Sequence, residues 1–99
     1  MHYLSFDLSD TDDGVTTLEA MASTSEGQHA EVMAEVRQVQ AWVREAFAHT
    51  QGAVEDGMDW DEDLQITREP GGWHTVTLTL TGSPRFVEAF LARFNANAD

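Results

Sequence analysis

Cysteine and lysine are both absent from this chain of 99 residues. Without cysteine there is no disulfide, no thiolate nucleophile and no cysteine-ligated zinc or iron–sulfur site. Without lysine there is no amine for a Schiff base and no ammonium group of the kind that binds phosphate. The five serines also lack the G-x-S-x-G and S-x-x-K motifs of activated nucleophiles. Carboxylate acid and base pairs remain, so a small carboxylate-dependent enzyme stays open as an alternative.

Positive charge is scarce, since five arginines face 18 acidic residues and the net charge is −13. The arginines are dispersed along the chain, at positions 37, 44, 68, 85 and 93. Binding to nucleic acid or to an anionic membrane requires a basic patch that neutralises phosphates. The charge therefore argues against both, and it favours either a basic protein partner or simple solubility. Genome composition and life at high salt explain the same acidity, and these explanations stay open.

Long apolar runs are absent as well. No stretch approaches the roughly 18 apolar residues of a membrane span, and the first residues, MHYLSFDLSD, lack the basic leader and apolar run of a signal peptide. We therefore expect a cytoplasmic protein with no membrane partner. The length suits a single domain over residues 1–99, with one core that buries most of the apolar surface.

Two segments alternate apolar and polar residues in the manner of paired strands. The first hairpin is predicted from HYLSFDLS and VTTLEAMAST, with DTDDG as its turn, because aspartate and glycine suit tight turns. The second is predicted from DLQITRE and WHTVTLTLTG, joined by Pro70, Gly71 and Gly72. In the last strand the valine and leucines should point inward and the threonines outward.

Each hairpin is followed by a predicted helix. Ser25 and Gln28 have the spacing of a capping box, and an apolar stripe at steps of three and four then extends over 32–50. Ser83 and Pro84 suit an N-cap and a first helical position. The apolar stripe of this second helix comprises Phe86, Val87, Phe90, Leu91 and Phe94.

The predicted element order is therefore strand, strand, helix, repeated twice. Cyclically this equals the order of ferredoxin-like folds started one strand late. We predict an α+β two-layer sandwich with the order β-β-α-β-β-α, a circularly permuted ferredoxin-like fold. Its four-stranded antiparallel sheet should have strand order 1-2-4-3, with both helices on one face and the other face open.

The stretch EDGMDWDED, residues 55–63, holds six carboxylates and one tryptophan. Asp59, Asp61 and Asp63 match the first, third and fifth positions of a calcium loop. The required glycine at position six and glutamate at position twelve are missing, however, so we predict no metal and no cofactor. We interpret the stretch as a solvated connection. Trp60 is expected to cap the core or, alternatively, to anchor a partner.

The histidines and the remaining acidic turn show no ligand pattern. No two histidines lie four residues apart on a helix. His2 and His74 share the inward side of their strands, but the predicted strand order separates those strands, so we expect ordinary packing. The aspartates at 7, 10, 12 and 13 cluster at the first turn, on the sheet edge opposite the acidic stretch, and a solvated turn is expected there too.

The open face of the predicted sheet is the most informative surface left. It should carry Tyr3, Met21 and Trp73 together with the threonines of the fourth strand, which makes it flat and partly apolar. Burying this face against a second copy would extend the core, so we predict a homodimer through it.

A non-enzymatic protein that acts through protein contacts is the function these patterns favour. We predict a regulatory or adaptor module. The alternative is an acidic antagonist, such as an immunity protein or a nucleic-acid mimic, that occupies a basic cleft. The salt dependence of binding distinguishes the two. Association driven by charge weakens as the salt concentration rises, whereas the affinity of apolar docking hardly changes. The candidate partner-binding residues are Tyr3, Met21, Asp56, Asp59, Trp60, Asp61, Glu62, Asp63 and Trp73.

Overall fold

The computed structural model describes residues 3–10 and 14–94 of the chain, and the predictions for His2, Asp12 and Asp13 fall outside these residues. The elements in chain order are β1 Phe6–Asp10, β2 Thr16–Ser25, α1 Glu26–Ala46, a short 3-10 helix Val54–Asp56, β3 Trp60–Glu69, β4 Trp73–Gly82 and α2 Pro84–Phe94. Within these described ranges, neither helix combines the length and the apolar character that crossing a bilayer requires.

The four strands form one antiparallel sheet in the order β1-β2-β4-β3. The predicted α+β sandwich, element order and strand order are therefore confirmed. The relation to ferredoxin-like folds stays a prediction, because it is based on topology alone. In the second hairpin, Gly71 and Gly72 take positive φ angles of 85° and 82°, which side chains with a Cβ rarely adopt, so this turn depends on glycine.

One apolar core lies between the sheet and the two helices. Alternate residues of the central strands face it, and Leu18, Leu78 and Leu80 are almost completely buried there. Four valines of α1, at 32, 36, 39 and 43, and two phenylalanines of α2, at 86 and 90, are buried against them. We name this covered side of the sheet the inner face. The opposite side, covered by neither α1 nor α2, is the open face.

Helix α1 begins where the capping-box spacing predicted and ends earlier than its apolar stripe. Its N-cap is Ser25, whose hydroxyl lies 3.3 Å from Oε1 of Gln28 and caps no backbone N–H. The last helical residue is Ala46, because the chain soon reverses and His49 takes a left-handed φ of 72°. This reversal brings residues 50–52 alongside the start of β3.

An aromatic contact between the helices lies off the predicted stripe. Trp42 is half-buried, and the centroid of its ring is 5.4 Å from that of Phe94 and 6.1 Å from that of Phe90. Ala46, which the stripe included, is exposed. The large ring of Trp42, at the margin of the α1 stripe, is long enough to reach α2, whereas the small side chain of Ala46 is not. The contact between the two helices is therefore made by Trp42 and not by Ala46.

Strand β3 begins at Trp60, three residues earlier than the alternation predicted. The Trp60 N–H donates to the Thr50 carbonyl at 3.4 Å, and the Trp60 carbonyl accepts the Gly52 N–H at 2.7 Å. These contacts hold Trp60 in an extended conformation next to β4. The second half of the acidic stretch is therefore strand rather than loop.

Candidate functional site

The carboxylates of the acidic stretch are divided among several environments. Asp59 contacts α2, Glu62 contacts α1, and Asp61 and Asp63 lie on the open face. Asp56 is exposed at the end of the short 3-10 helix. The division follows from β3, because successive side chains of a strand point to opposite sides of the sheet. The interpretation of the whole stretch as one solvated connection is therefore wrong.

Asp59 joins the start of β3 to the start of α2. Its carboxylate accepts hydrogen bonds from the Arg85 guanidinium at 2.6 Å and from the Ser83 hydroxyl at 3.1 Å. Ser83 Oγ in turn accepts the backbone N–H of Phe86 at 3.3 Å, which confirms Ser83 as the predicted N-cap. The hydrogen bond from Arg85 lowers the pKa of Asp59 below its ordinary value. The charge of Asp59 is thus already matched within the fold.

Glu62 has the equivalent role toward α1. Its carboxylate accepts hydrogen bonds from the Arg44 guanidinium at 2.7 Å and from Nε2 of Gln40 at 3.1 Å. The Glu62 side chain is largely covered, whereas that of Arg44 is mostly exposed. Glu62 therefore holds β3 against α1 and offers little negative charge to a partner on the open face.

Trp60 caps one end of the core, as one of the two sequence-based alternatives predicted. Only 2% of its surface is exposed, and its indole N–H donates to the Phe47 carbonyl at 3.0 Å. Its ring stacks on Phe86 with centroids 6.1 Å apart and planes at 13°. With its polar group bonded and its ring covered, Trp60 has no surface to present as a partner anchor.

Tyr3 lies against α1 and not on the open face, so its predicted location is wrong. Its hydroxyl donates to the Glu31 carboxylate at 3.3 Å, and its backbone N–H donates to the Glu35 carboxylate at 3.1 Å. Burial, followed by the neighbouring Glu31 carboxylate, raises the pKa of the Tyr3 hydroxyl. The alternation rule failed because β1 begins only at Phe6, so the direction of Tyr3 is not set by a strand.

The open face carries two large exposed apolar side chains on its central strands. Met21 in β2 is 58% exposed and Trp73 in β4 is 46% exposed. The threonines of β4 point to the same side, at 75, 77, 79 and 81, and Met21 lies directly opposite Thr77. The predicted partly apolar surface is therefore present, without Tyr3.

Carboxylates accompany these apolar side chains on the open face. They are Asp7, Glu19, Asp61, Asp63 and Glu69, each on the same side of its strand as Met21 and Trp73. None of the five arginines of the chain shares this side, since four lie in the helices and Arg68 lies on the inner side of β3. No arginine therefore balances the negative charge of the open face.

His29 and His74 form a stacked pair that the spacing rules missed. Their ring centroids are 4.3 Å apart with planes at 23°, and Nδ1 of His29, Nε2 of His74 and the Thr24 hydroxyl are buried without a hydrogen-bond partner. His29 precedes Val32 by three residues, so extending the apolar stripe of α1 by one turn would have placed it on the inner face.

The described part of the chain contains a cleft beside α2 and a smaller recess of about 130 Å³, which is lined by Asp61, Glu62, Asp63, Thr79 and Thr81. Across residues 3–10 and 14–94, no group of three or more histidine, aspartate or glutamate side chains is arranged to hold an ion. A cleft of about 480 Å³ lies between α2 and the first hairpin, with Val15, Val87 and Leu91 among its lining residues. The Asp10 carboxylate on its rim is already engaged, since it accepts the Thr16 hydroxyl at 2.6 Å. The cleft is mainly an apolar recess.

No family model, curated protein or solved structure matches the chain. The architecture by itself does not indicate an activity, because one fold serves many unrelated functions. The open face, with its five carboxylates and two exposed apolar side chains, is therefore the candidate functional site.

Proposed function

We propose that this protein is a small interaction module that binds a basic protein partner through the open face of its sheet. The observation that carries the proposal is the composition of that face, where Met21 and Trp73 are exposed among five carboxylates and no arginine. A surface of this kind offers an apolar contact area together with a negative field.

The two kinds of side chain contribute differently to binding. The carboxylates attract a basic surface over a distance set by the salt concentration, about 10 Å at 0.1 M, and so raise the association rate. Exposed tryptophan and methionine contribute short-range contact, and tryptophan is prominent among residues that dominate interface energies. A partner with basic groups around an apolar centre satisfies both requirements.

The same charges bear on the predicted homodimer through the open face. Two copies that met face to face would bring Asp7, Glu19, Asp63 and their counterparts together without a compensating arginine. Like charges across an interface oppose association, so a basic partner is favoured over a second copy at this surface. The homodimer through the open face stays a prediction.

A regulatory module and an acidic antagonist would both use this face, and they differ in how strongly salt affects binding. The protein, tagged at one end, is used to capture partners from native lysate at about 0.05 M and about 0.3 M salt. Captured proteins are identified, purified and titrated against the tagged protein. A basic partner whose affinity falls steeply with salt fits the antagonist, and a partner whose affinity changes little fits the adaptor.

Variants of the open face test where the partner binds. Asp61→Asn combined with Asp63→Asn should weaken binding about tenfold at low salt, because two unpaired charges leave the contact surface. The matched control is Glu45→Gln combined with Glu88→Gln, which removes two exposed helical carboxylates. For apolar contact, Met21→Ala is compared with Met58→Ala, since both methionines are exposed and only Met21 lies on the open face.

The results would decide between the open face and other surfaces. Loss of affinity in the open-face variants alone supports the proposal. An equal loss in the control variants, an acidic partner, or no captured protein at either salt would contradict it.

A further inference from the structure

Strand β3 forms one edge of the sheet. Along most of its length, the backbone groups on its outer side, which is the side away from β4, have no backbone partner among the described residues. It pairs with β4 along its whole length, from Trp60 opposite Gly82 to Glu69 opposite Trp73. On the other side, the backbone of residues 50–52 bonds within β3 only to the first residue, Trp60, and the Gln51 side chain donates to the Asp61 carboxylate at 3.2 Å. Among the described residues, no backbone group bonds to the outer side of 61–69. Edges of this length are available for pairing with another strand.

The contacts of Trp60 show which residues point their backbone groups outward. Both its N–H and its carbonyl bond to residues 50–52, away from β4. Because the direction alternates along an antiparallel strand, Glu62, Leu64, Ile66 and Arg68 point outward in the same way. The Glu62 N–H agrees with this, since it is satisfied by the carboxylate of its neighbour Asp61 at 2.9 Å rather than by β4.

We propose that a second copy of the chain pairs with this edge, β3 against β3 in antiparallel orientation, to form a continuous eight-stranded sheet. A strand pairs well with its own copy when its sequence is complementary to itself after reversal. Strand β3 meets that condition at one register.

The backbone restricts the possible registers. Hydrogen bonds between the copies form only where the outward-pointing N–H and carbonyl groups of one β3 meet those of the other. These groups belong to even-numbered residues, so even-numbered residues of one copy pair with even-numbered residues of the other. A register centred on Leu64 places Trp60, whose outer groups are already bonded, in the ladder. One centred on Ile66 places Glu62 opposite Pro70, which has no N–H. The register centred on Gln65 uses all four outward residues of each copy, with about eight hydrogen bonds in total. Two of these form when the Glu62 N–H of each copy exchanges the Asp61 carboxylate for the partner's Arg68 carbonyl.

The side chains agree with the register centred on Gln65. On the inner side, Leu64 lies opposite the partner's Ile66. The partner's Arg68 lies opposite Glu62, whose carboxylate already accepts hydrogen bonds from Arg44 and Gln40, so Arg68 adds a second arginine to that carboxylate. Opposite charges and apolar pairs in these positions each stabilise antiparallel pairing. Ile66, at 49% exposed, is among the most exposed large apolar side chains of the protein, and this pairing covers it.

The pairing also carries an electrostatic cost. On the open side, Asp61 lies opposite the partner's Glu69, and each chain has a net charge of −13. Both effects act through solvent and are screened by salt. The dimer should therefore be tighter at moderate salt than at low salt, which is opposite to the salt dependence of binding to a basic partner.

The inference does not depend on the proposed function. A twofold axis perpendicular to the sheet keeps all four helices on one side and leaves both open faces uncovered on the other. The dimer would then present two partner-binding faces side by side, so avidity becomes possible for a partner with a repeated basic surface.

Sedimentation equilibrium at about 0.3 M salt tests the pairing in solution. Wild type should show a mass that rises with concentration toward that of a dimer. Ile66→Pro should remain a monomer, because it removes an outward N–H while leaving the bonds to β4 in place. Circular dichroism and a thermal melt verify that this variant is folded. If Ile66→Pro fails to fold, Arg68→Glu replaces it, with Arg37→Glu on α1 as the control of equal charge change.

Single-cysteine variants test the register directly, since the chain contains no cysteine of its own. At the proposed twofold axis, Gln65 and its copy are a non-hydrogen-bonded pair with Cα atoms about 4.5 Å apart, which a disulfide spans. Gln65→Cys should oxidise rapidly to a covalent dimer. Thr67→Cys is the control, because the two copies of position 67 would lie about 13 Å apart.

Each measurement has a result that would overturn the proposal. A monomeric mass at every concentration would do so, as would equal oxidation rates for Gln65→Cys and Thr67→Cys. A dimer that survives Ile66→Pro and is lost in Met21→Lys would instead assign self-association to the open face.

Discussion

Single residues in the acidic stretch differ in function although they are adjacent in sequence. Asp59 and Glu62 each bond to an arginine of a different helix, whereas Asp61 and Asp63 remain on the open face. Trp60, between them, is buried in the core. Substitutions within four residues of one another should therefore affect stability in some cases and partner binding in others.

Replacing Trp60 should cost more stability than replacing the exposed tryptophan. Trp60→Ala removes a buried ring and its hydrogen bond to Phe47, and should lower the free energy of unfolding by about 3–5 kcal/mol. Trp73→Ala should change it by less than about 1 kcal/mol, because the ring is half exposed. Urea unfolding measures both values, and similar losses for the two variants would contradict the burial of Trp60.

The ion pair of Asp59 should contribute to stability only above acidic pH. Arg85 lowers the pKa of Asp59 in the folded state, so the stabilisation is complete above the unfolded pKa of about 3.9 and is lost as pH falls through the folded value. Asp59→Asn should destabilise the protein at pH 7 by no more than about 1 kcal/mol, since solvent screens the pair. The difference from wild type should shrink below about pH 4.

Urea unfolding at several pH values measures this difference. The control is Asp63→Asn, a carboxylate with no ion pair to a described residue. If the difference in the free energy of unfolding between wild type and Asp59→Asn grows on acidification, the negative charge of Asp59 is not what stabilises the fold.

At the scale of elements, the end of β4 and the start of α2 meet at a glycine. Gly82 lies between Thr16 and Trp60 on the inner face, and the Phe86 ring lies directly over it. A Cβ at this position would collide with that ring. Because Phe86 also contacts Trp60 and Phe47, the ring has little freedom to move away.

Two glycine-to-alanine substitutions should therefore have opposite effects. Gly82→Ala should lower the free energy of unfolding by about 1–3 kcal/mol, because the added methyl overpacks the core at Phe86. Gly27→Ala should raise it by up to about 1 kcal/mol, since Gly27 lies in α1 with open space around it and alanine favours the helix. Thermal or urea unfolding measures both changes, and a neutral Gly82→Ala would mean that Phe86 can relocate.

At the scale of the whole molecule, the net charge of −13 should oppose folding through self-repulsion. The two ion pairs of the described residues join β3 and the residue before it to the helices, and they balance only part of this charge. Among the described residues, no arginine is paired with a carboxylate of the open face. Under the proposed function, such a surface exchanges some stability of the free protein for attraction of a basic partner.

Salt should consequently stabilise the isolated protein. Raising the NaCl concentration from about 0.02 M to about 0.5 M should increase the free energy of unfolding by on the order of 1 kcal/mol, because screening weakens repulsion among the exposed carboxylates more than it weakens two ion pairs whose carboxylates are mostly covered. Urea unfolding at several salt concentrations measures the increase. Glu19→Gln combined with Asp63→Asn should show a smaller increase, and a decrease with salt in the wild type would contradict the argument.

The sequence by itself determined the order of the elements and which side of each strand faces the core. Alternation in β2 and β4, the Pro70-Gly71-Gly72 turn and the Ser83 N-cap are local patterns, and local backbone geometry obeys them. The open face followed from the same alternation, so Met21 and Trp73 could be assigned to it in advance.

Only the tertiary structure decided what the acidic residues and the histidines contact. Glu62 and Arg44 are 18 residues apart, Asp59 and Arg85 are 26 apart, and His29 meets His74 from a different layer. No period of two or 3.6 residues specifies such pairs, because they depend on how far β3 extends toward Trp60 and on where each helix lies over the sheet. Side-chain direction is a local property of the chain, whereas the partner of a side chain depends on packing across the whole fold.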